Sequence, residues 1–304
     1  MKAGQELFTM RHQRMIVLAV LTIATVMLSC PRDPYTYNTN LKLLVGDTID
    51  YQDHSTCPVV SPDGEKVYFL SLPWDEWDEE YNYQDGVGRL YEVKSDGTGK
   101  RKLLDNIFEA ITISPDGKKL AAVLWPDSGL DRDATNYIVL IDVNTLSMDT
   151  FVVSHGGINQ IEFGKISENA LYFSSGDKIV RLDLSDTTEQ IVGYGLGFDI
   201  SPDGKLYIDS KLHYVEINPD SNDLAISVDT GSFGGGKRFL LRHITTQEID
   251  TLPASLIPYS GGRVNFPYWF PSGDKIVFSS ASPSWEFPHP AQIWILENFF
   301  EQIE

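Results

Sequence analysis

The stretch ITISPDGKKLAAVL (Ile111–Leu124) decides the fold: a short apolar strand, a Ser-Pro-Asp-Gly turn, then a second apolar strand. The phrase recurs as VVSPDGEKVYFLS at Val59–Ser71 and FDISPDGKLYIDS at Phe198–Ser210. Weaker copies read VEINPDSNDLAISV at Val215–Val228 and YWFPSGDKIVFSS at Tyr268–Ser280. Self-similarity at a period near fifty residues signifies stacked supersecondary units. Pro sets the chain direction into the turn and cannot donate to a strand ladder. Asp-Gly suits a two-residue hairpin loop with positive φ. Turn chemistry thus accounts for Asp63, Asp116 and Asp203 and makes them structural.

Each repeat reads outward as four strands. Second strands fall at Val67–Ser71, Leu120–Leu124, Leu171–Ser175, Leu224–Val228 and Ile276–Ser280, their first residues 51 to 53 positions apart. Third strands follow at Leu90–Val93, Tyr137–Val143, Lys178–Leu184, Arg238–Ile244 and Gln292–Glu297, rich in β-branched, aromatic and aliphatic residues. Fourth strands follow at Lys102–Leu104, Asp149–Val153, Glu189–Val192 and Glu248–Leu252, but the last repeat ends before one appears. LKLLV at Leu41–Val45 supplies the missing piece. The expected fold is an all-β propeller of four-stranded antiparallel blades, with the N-terminal strand closing the ring by pairing with the last blade. The segment Gly193–His213 leaves two strands over. Six blades with one degenerate is the preferred count, and five blades plus a hairpin the alternative.

The N-terminus reads as a targeting segment. Arg11 and Arg14 precede the apolar run Met15–Leu28, which ends at Leu28-Ser29-Cys30. The run falls short of the roughly 20 apolar residues of a comfortable membrane span. The segment resembles a bacterial lipoprotein signal, in which the cysteine is lipidated and becomes the first mature residue. Ser29 and Cys30 match that pattern, whereas Met27 and Leu28 depart from it. Translation from Met1 or Met10 fits equally. The domain reading is a signal peptide over 1–29, a linker over 30–40 after lipidated Cys30, and one propeller over 41–304. Cys57 is the other cysteine, so lipidation of Cys30 leaves no internal disulfide, and Cys57 reads as a small buried hydrophobe. A formal charge of -19 excludes a nucleic-acid partner and favours cations or basic partners.

With the turns, strands and signal in hand, residues 40–298 resemble the TolB-like, WD-like propeller repeats of exported bacterial proteins. That resemblance implies a rigid disc used for binding and carries no fixed catalytic set. Similar repeats occur in periplasmic scaffolds, in propeller domains of serine peptidases and in propeller-fold pectate-fragment lyases. No G-x-S-x-G elbow appears here, and GSFGGGK at Gly231–Lys237 lacks both the Ser or Thr and the following helix of a phosphate loop.

Recognition is expected on the face bearing the long second-to-third strand loops. The first loop mixes Trp74, Trp77, Tyr81 and Tyr83 with Asp75, Asp78 and other acids. Trp285 and His289 add a second wall, and Asp131 and Asp133 lie in another loop of that face. Aromatics supply flat contact area, while the acids suit a basic partner or a divalent cation such as calcium. His54, His155 and His289 share the face and constitute the one histidine set open to a metal. The leading functional reading is an extracytoplasmic scaffold for an envelope protein, lipid-anchored to a bacterial membrane on its periplasmic side or at the cell surface. The alternative is a carbohydrate-active, lyase-like enzyme or saccharide binder holding a cation. The scaffold reading involves no cofactor, and calcium or another divalent cation belongs to the alternative.

Overall fold

The computed structural model describes residues 40–46, 53–73, 87–124, 136–153, 157–167, 169–210, 213–229, 238–253, 256–258, 263–281 and 291–302. β1 (Leu41–Val45) precedes β2 (Asp53–Val60), β3 (Lys66–Pro73), β4 (Gly88–Lys94) and the long β5 (Arg101–Ile113). β6 (Lys119–Leu124), β7 (Asn136–Asp142) and β8 (Met148–Val153) continue the same sheet. That sheet is two blades sharing one strand. The first half of β5 pairs with β4 (Glu92 opposite Arg101), and the second half pairs with β6 (Ile113 opposite Leu120). Blade 3 contains β9 (Ile158–Phe163), β10 (Ala170–Ser175), β11 (Lys178–Asp183) and β12 (Glu189–Tyr194). β13 (Gly197–Ile200) and β14 (Leu206–Asp209) form a two-stranded blade 4. Blade 5 contains β15 (His213–Ile217), β16 (Leu224–Asp229), β17 (Arg238–His243) and β18 (Ile249–Thr251). β19 (Arg263–Trp269), β20 (Ile276–Ala281) and β21 (Gln292–Leu296) form blade 6, with β1 as its fourth strand. Leu41 lies opposite Leu296 and Val45 opposite Ile293, the pairing expected of the N-terminal strand.

The protein is therefore an all-β propeller of six blades, one reduced to a hairpin. Its first, inner strands are β2, β5, β9, β13, β15 and β19; each touches the next, and β19 touches β2. Apolar residues of one blade bury against those of its neighbour. Phe108 and Leu70 meet Ile111 and Val139 between blades 1 and 2, and Val123 and Ile138 meet Phe163 and Phe173 between blades 2 and 3. Phe239 stands edge-on to Phe278 across blades 5 and 6, with ring centroids 5.0 Å apart. Each fully buried side chain of this kind contributes about 1.5–3 kcal/mol. Cys57 lies in this core, as expected. Among the described residues, no helix is long and apolar enough to cross a membrane.

The Ser-Pro-Asp-Gly turns are tighter in bonding and wider in span than a two-residue hairpin. Ser114 O accepts the N–H of Gly117 (2.8 Å), and Ser114 N donates to Lys119 O (2.8 Å). Ser114 Oγ donates to Asp116 Oδ1 (2.7 Å) and accepts from Lys119 N (2.9 Å). The same clasp forms around Ser61 and Asp63 and around Ser201 and Asp203. Glycine alone takes positive φ (+71° at Gly117), so the aspartates serve as acceptors rather than as left-handed residues, which corrects the two-residue expectation.

Blade 4 lacks two strands, and its neighbours lean in to cover it. A Cβ at Gly193 would lie 2.1 Å from Ile208 Cδ1, so glycine lets the end of β12 press onto β14. From blade 5, Arg242 Nη1 reaches Asp209 Oδ2 at 3.0 Å and the Tyr207 hydroxyl at 3.1 Å. From blade 3, Gln160 Nε2 donates to Phe198 O (2.7 Å) and Val215 O (3.5 Å), linking three blades through one amide.

Candidate functional site

Aligning the turns aligns the inner strands. The turns open at Ser61, Ser114, Gly164, Ser201, Asn218 and Phe270, whose N–H groups each close the hairpin at 2.8–2.9 Å. Two residues earlier stand Val59, Thr112, Glu162, Asp199, Glu216 and Tyr268, one per blade. β2, β15 and β19 each carry a bulge just before this level, with Cys57, Tyr214 and Phe266 at φ of 49°, 52° and 52°. Left-handed backbone at such residues costs of order 1–3 kcal/mol each and persists only where surrounding structure imposes it.

Four of the six aligned residues are polar and linked. Thr112 Oγ1 of blade 2 donates to Glu162 Oε2 of blade 3 at 2.9 Å. Glu162 and Glu216 hydrogen-bond to each other, past the strand of blade 4. Asp199 accepts the N–H of Ile200 on Oδ1 (2.6 Å) and the N–H of Ile217 on Oδ2 (2.7 Å). Lys165, just beyond β9, places Nζ 3.9 Å from Asp199 Oδ1. These links join the inner strands of blades 2 to 5.

Electrostatics fix the protonation pattern. Burial pushes Glu216 well above the usual carboxylate range, and Asp199 and Glu162 push it further. Burial raises Glu162 to about 7, while Lys165 and the hydrogen bonds from Thr112 and Glu216 restrain it. Glu216 therefore holds the proton and donates it to the Glu162 carboxylate. Burial raises Asp199 as well, opposed by Lys165 and two backbone N–H groups. Burial works against the Lys165 charge, but Asp199, Tyr268, Glu162 and Glu216 outweigh it and keep the ammonium protonated. Burial raises the Tyr268 phenol, which stays neutral.

This layer separates two cavities, because Glu216 and Tyr268 line both. The smaller, about 40 Å³, is bounded by Cys57, Gln160, Tyr214 and Phe266. The ring centroids of Tyr214 and Phe266 stand 4.4 Å apart. The larger, about 240 Å³, opens among the turns through Pro62, Pro115, Pro219 and Pro271, with Lys165 and Trp269 in its wall. The arrangement can hold a proton, orient hydrogen bonds and present one ammonium.

The loop residues expected to carry recognition, Trp74, Asp75, Trp77, Asp78, Tyr81, Tyr83, Asp131, Asp133, Trp285 and His289, lie outside the described residues, as do Cys30 and His155. His54 is the one member of the histidine set that lies among the described residues. Burial lowers it to about 3, so the ring is neutral, and its Nδ1 accepts the Ala291 N–H at 3.2 Å. Among the described residues, no group of three His, Cys, Asp or Glu is placed to hold a metal ion. Sequence reading passed over Glu162, Lys165, Asp199 and Glu216. The signal was a carboxylate at one register position in three successive repeats, where strands ordinarily carry apolar residues.

No protein-family profile matches the chain, and no curated protein does. Solved structures do. A protein assigned as TolB from Agrobacterium tumefaciens is 18% identical with a TM-score of 0.41, over 80% of this chain and 76% of that one. An oligogalacturonate lyase in complex with manganese is 10% identical with a TM-score of 0.49, over 79% and 76%. The β-propeller domain of Myceliophteria thermophila Cps50 (Swd1) is 13% identical with a TM-score of 0.37, over 75% and 65%. Across these and other matched structures the chain spans 58% to 82% of the partner chain's length. The likeness is one of fold and assigns no residue a role.

Proposed function

We propose that the protein is a lipid-anchored, extracytoplasmic scaffold that captures a protein partner on the face bearing its long connections. One observation carries this reading. Connections 74–87, 125–135, 230–237 and 282–291 all leave the end of a blade's second strand and return to its third, at equivalent positions in four blades. Blade 3, by contrast, turns from β10 to β11 through Gly176 and Asp177 alone. Length concentrated on one face of a regular disc is where recognition is built.

In this reading residues 1–29 direct export, Cys30 carries the lipid and residues 41–304 form the binding disc. Trp74, Trp77, Tyr81 and Tyr83 supply flat anchors, joined by Trp285 of the connection 282–291. Asp75, Asp78, Asp131 and Asp133 attract a basic partner surface, consistent with the formal charge of -19.

The test is affinity capture from the native envelope with the full chain and with a variant lacking 74–83. The expected result is a stoichiometric protein partner, lost in the deletion variant while the melting temperature stays within about 2 °C, as for surface changes away from the core. Undiminished capture by the deletion variant removes the loop from the interface. Elemental analysis of the same sample supplies the opposing outcome: a stoichiometric metal and no protein partner would favour the saccharide-binding or lyase-like reading.

A further inference from the structure

The cavity among the turns lies away from the long connections and differs from them in chemistry. Among the described residues, Lys165 Nζ makes no hydrogen bond. Its one recorded charged neighbour at salt-bridge range is Asp199 Oδ1, at 3.9 Å. Both Asp199 oxygens already accept backbone N–H groups at 2.6 and 2.7 Å. The Tyr268 hydroxyl likewise makes no hydrogen bond among the described residues. Glu216 is the one acidic residue in the wall, and its proton is committed to Glu162. The wall thus offers an ammonium and a phenol as unused donors, and no ionised acceptor of its own. The Lys165 side chain keeps 29% of its surface exposed, so its three donors are open to a ligand entering from the cavity mouth.

The remainder of the wall is apolar apart from Ser114, whose hydroxyl is taken up by its own turn. Trp269, Val60, Ile113 and the rim prolines enclose about 240 Å³, space for a small organic molecule rather than a bare ion. Two of the rim prolines, Pro62 and Pro115, belong to turns held by the Ser-Asp clasps, so that side of the cavity is preformed.

We propose that this cavity is a binding site for a small organic monocarboxylate, whose carboxylate takes the donors of Lys165 and Tyr268 and whose apolar body lies against Trp269 and the prolines. The site is independent of the scaffold reading, since it occupies the opposite end of the channel. The carboxylate supplies a charged acceptor for both donors, and the apolar wall beside them strengthens that attraction relative to bulk water.

Benzoate is the probe, with benzylamine as the ring of equal size and opposite charge, titrated into the purified full-length protein by calorimetry. The expected result is saturable one-to-one binding of benzoate and none of benzylamine. Tyr268→Phe keeps the ring and removes one donor, so benzoate should bind roughly tenfold more weakly. Lys165→Met should abolish binding. Because that change also leaves Asp199 without its cation, the Tyr268→Phe variant carries the decision if Lys165→Met fails to fold. Equal binding of the two probes, tighter binding of benzylamine, absence of saturable benzoate binding, or unchanged benzoate affinity in Tyr268→Phe would each overturn the proposal.

Discussion

At the scale of single residues, the serine of each turn does more than terminate a strand. Ser114 Oγ is at once donor to Asp116 and acceptor from Lys119 N, so its removal leaves a backbone N–H and a carboxylate short of partners. Ser114→Ala should cost about 1 kcal/mol in urea unfolding. Gly117→Ala should cost at least as much, because φ of +71° is strained for alanine and its Cβ would lie 3.1 Å from Pro62 Cδ. Glu162 is the residue whose charge state responds to pH. Its folded-state pKa of about 7 exceeds the ordinary 4.5. The folded protein thus holds an extra proton between those values, and this contribution to stability is complete below pH 4.5 and lost as pH rises through 7. His54 acts oppositely: lowered to about 3 by burial, it withdraws stability as pH falls below its ordinary 6.5. The clean measurement is therefore a difference. The stability of the parent relative to Glu162→Gln should decline from pH 4.5 to 7 and then level off. A difference independent of pH would remove Glu162 from the account.

At the scale of elements, the blades were largely legible in sequence and the axis was not. Turn residues and β-branched runs act locally, so β10 at Ala170–Ser175 and β20 at Ile276–Ala281 fall within a residue of where the repeat put them. The surplus hairpin near Gly193–His213 was visible as surplus and is blade 4. The axial cluster depends on which residues of different blades meet, and bulges at Cys57, Tyr214 and Phe266 set that register. No local pattern reports such a meeting. Alignment of the repeats exposes only its trace, in Glu162, Asp199 and Glu216. Gln160 is a second feature of this kind, an unremarkable polar residue in sequence and a joint between three blades in the fold. Gln160→Ala leaves the carbonyls of Phe198 and Val215 without that donor and should cost about 2 kcal/mol, read from the shift in denaturation midpoint.

At the scale of the molecule, one N-terminal strand secures the last blade. β1 covers β21, whose own residues are buried along their whole length, and Leu44 and Val45 join the apolar cluster shared with Phe69 and Phe270. Removing residues 40–46 should expose the β21 edge, lower the melting temperature by several degrees and promote self-association, measurable by calorimetry and light scattering. The same pairing bears on how the chain reaches this state. Val45 cannot find Ile293, nor Ser55 N its acceptor at Ala291 O, until nearly every intervening residue has been made. The earliest segment to emerge must wait for the latest, and such distant partners raise contact order and slow folding. A nascent chain halted before residue 292 would own five blades, two strands of the sixth, and a β1 with nowhere to dock. Assembly of the propeller is thus gated by synthesis of β21, and β1 is the latch.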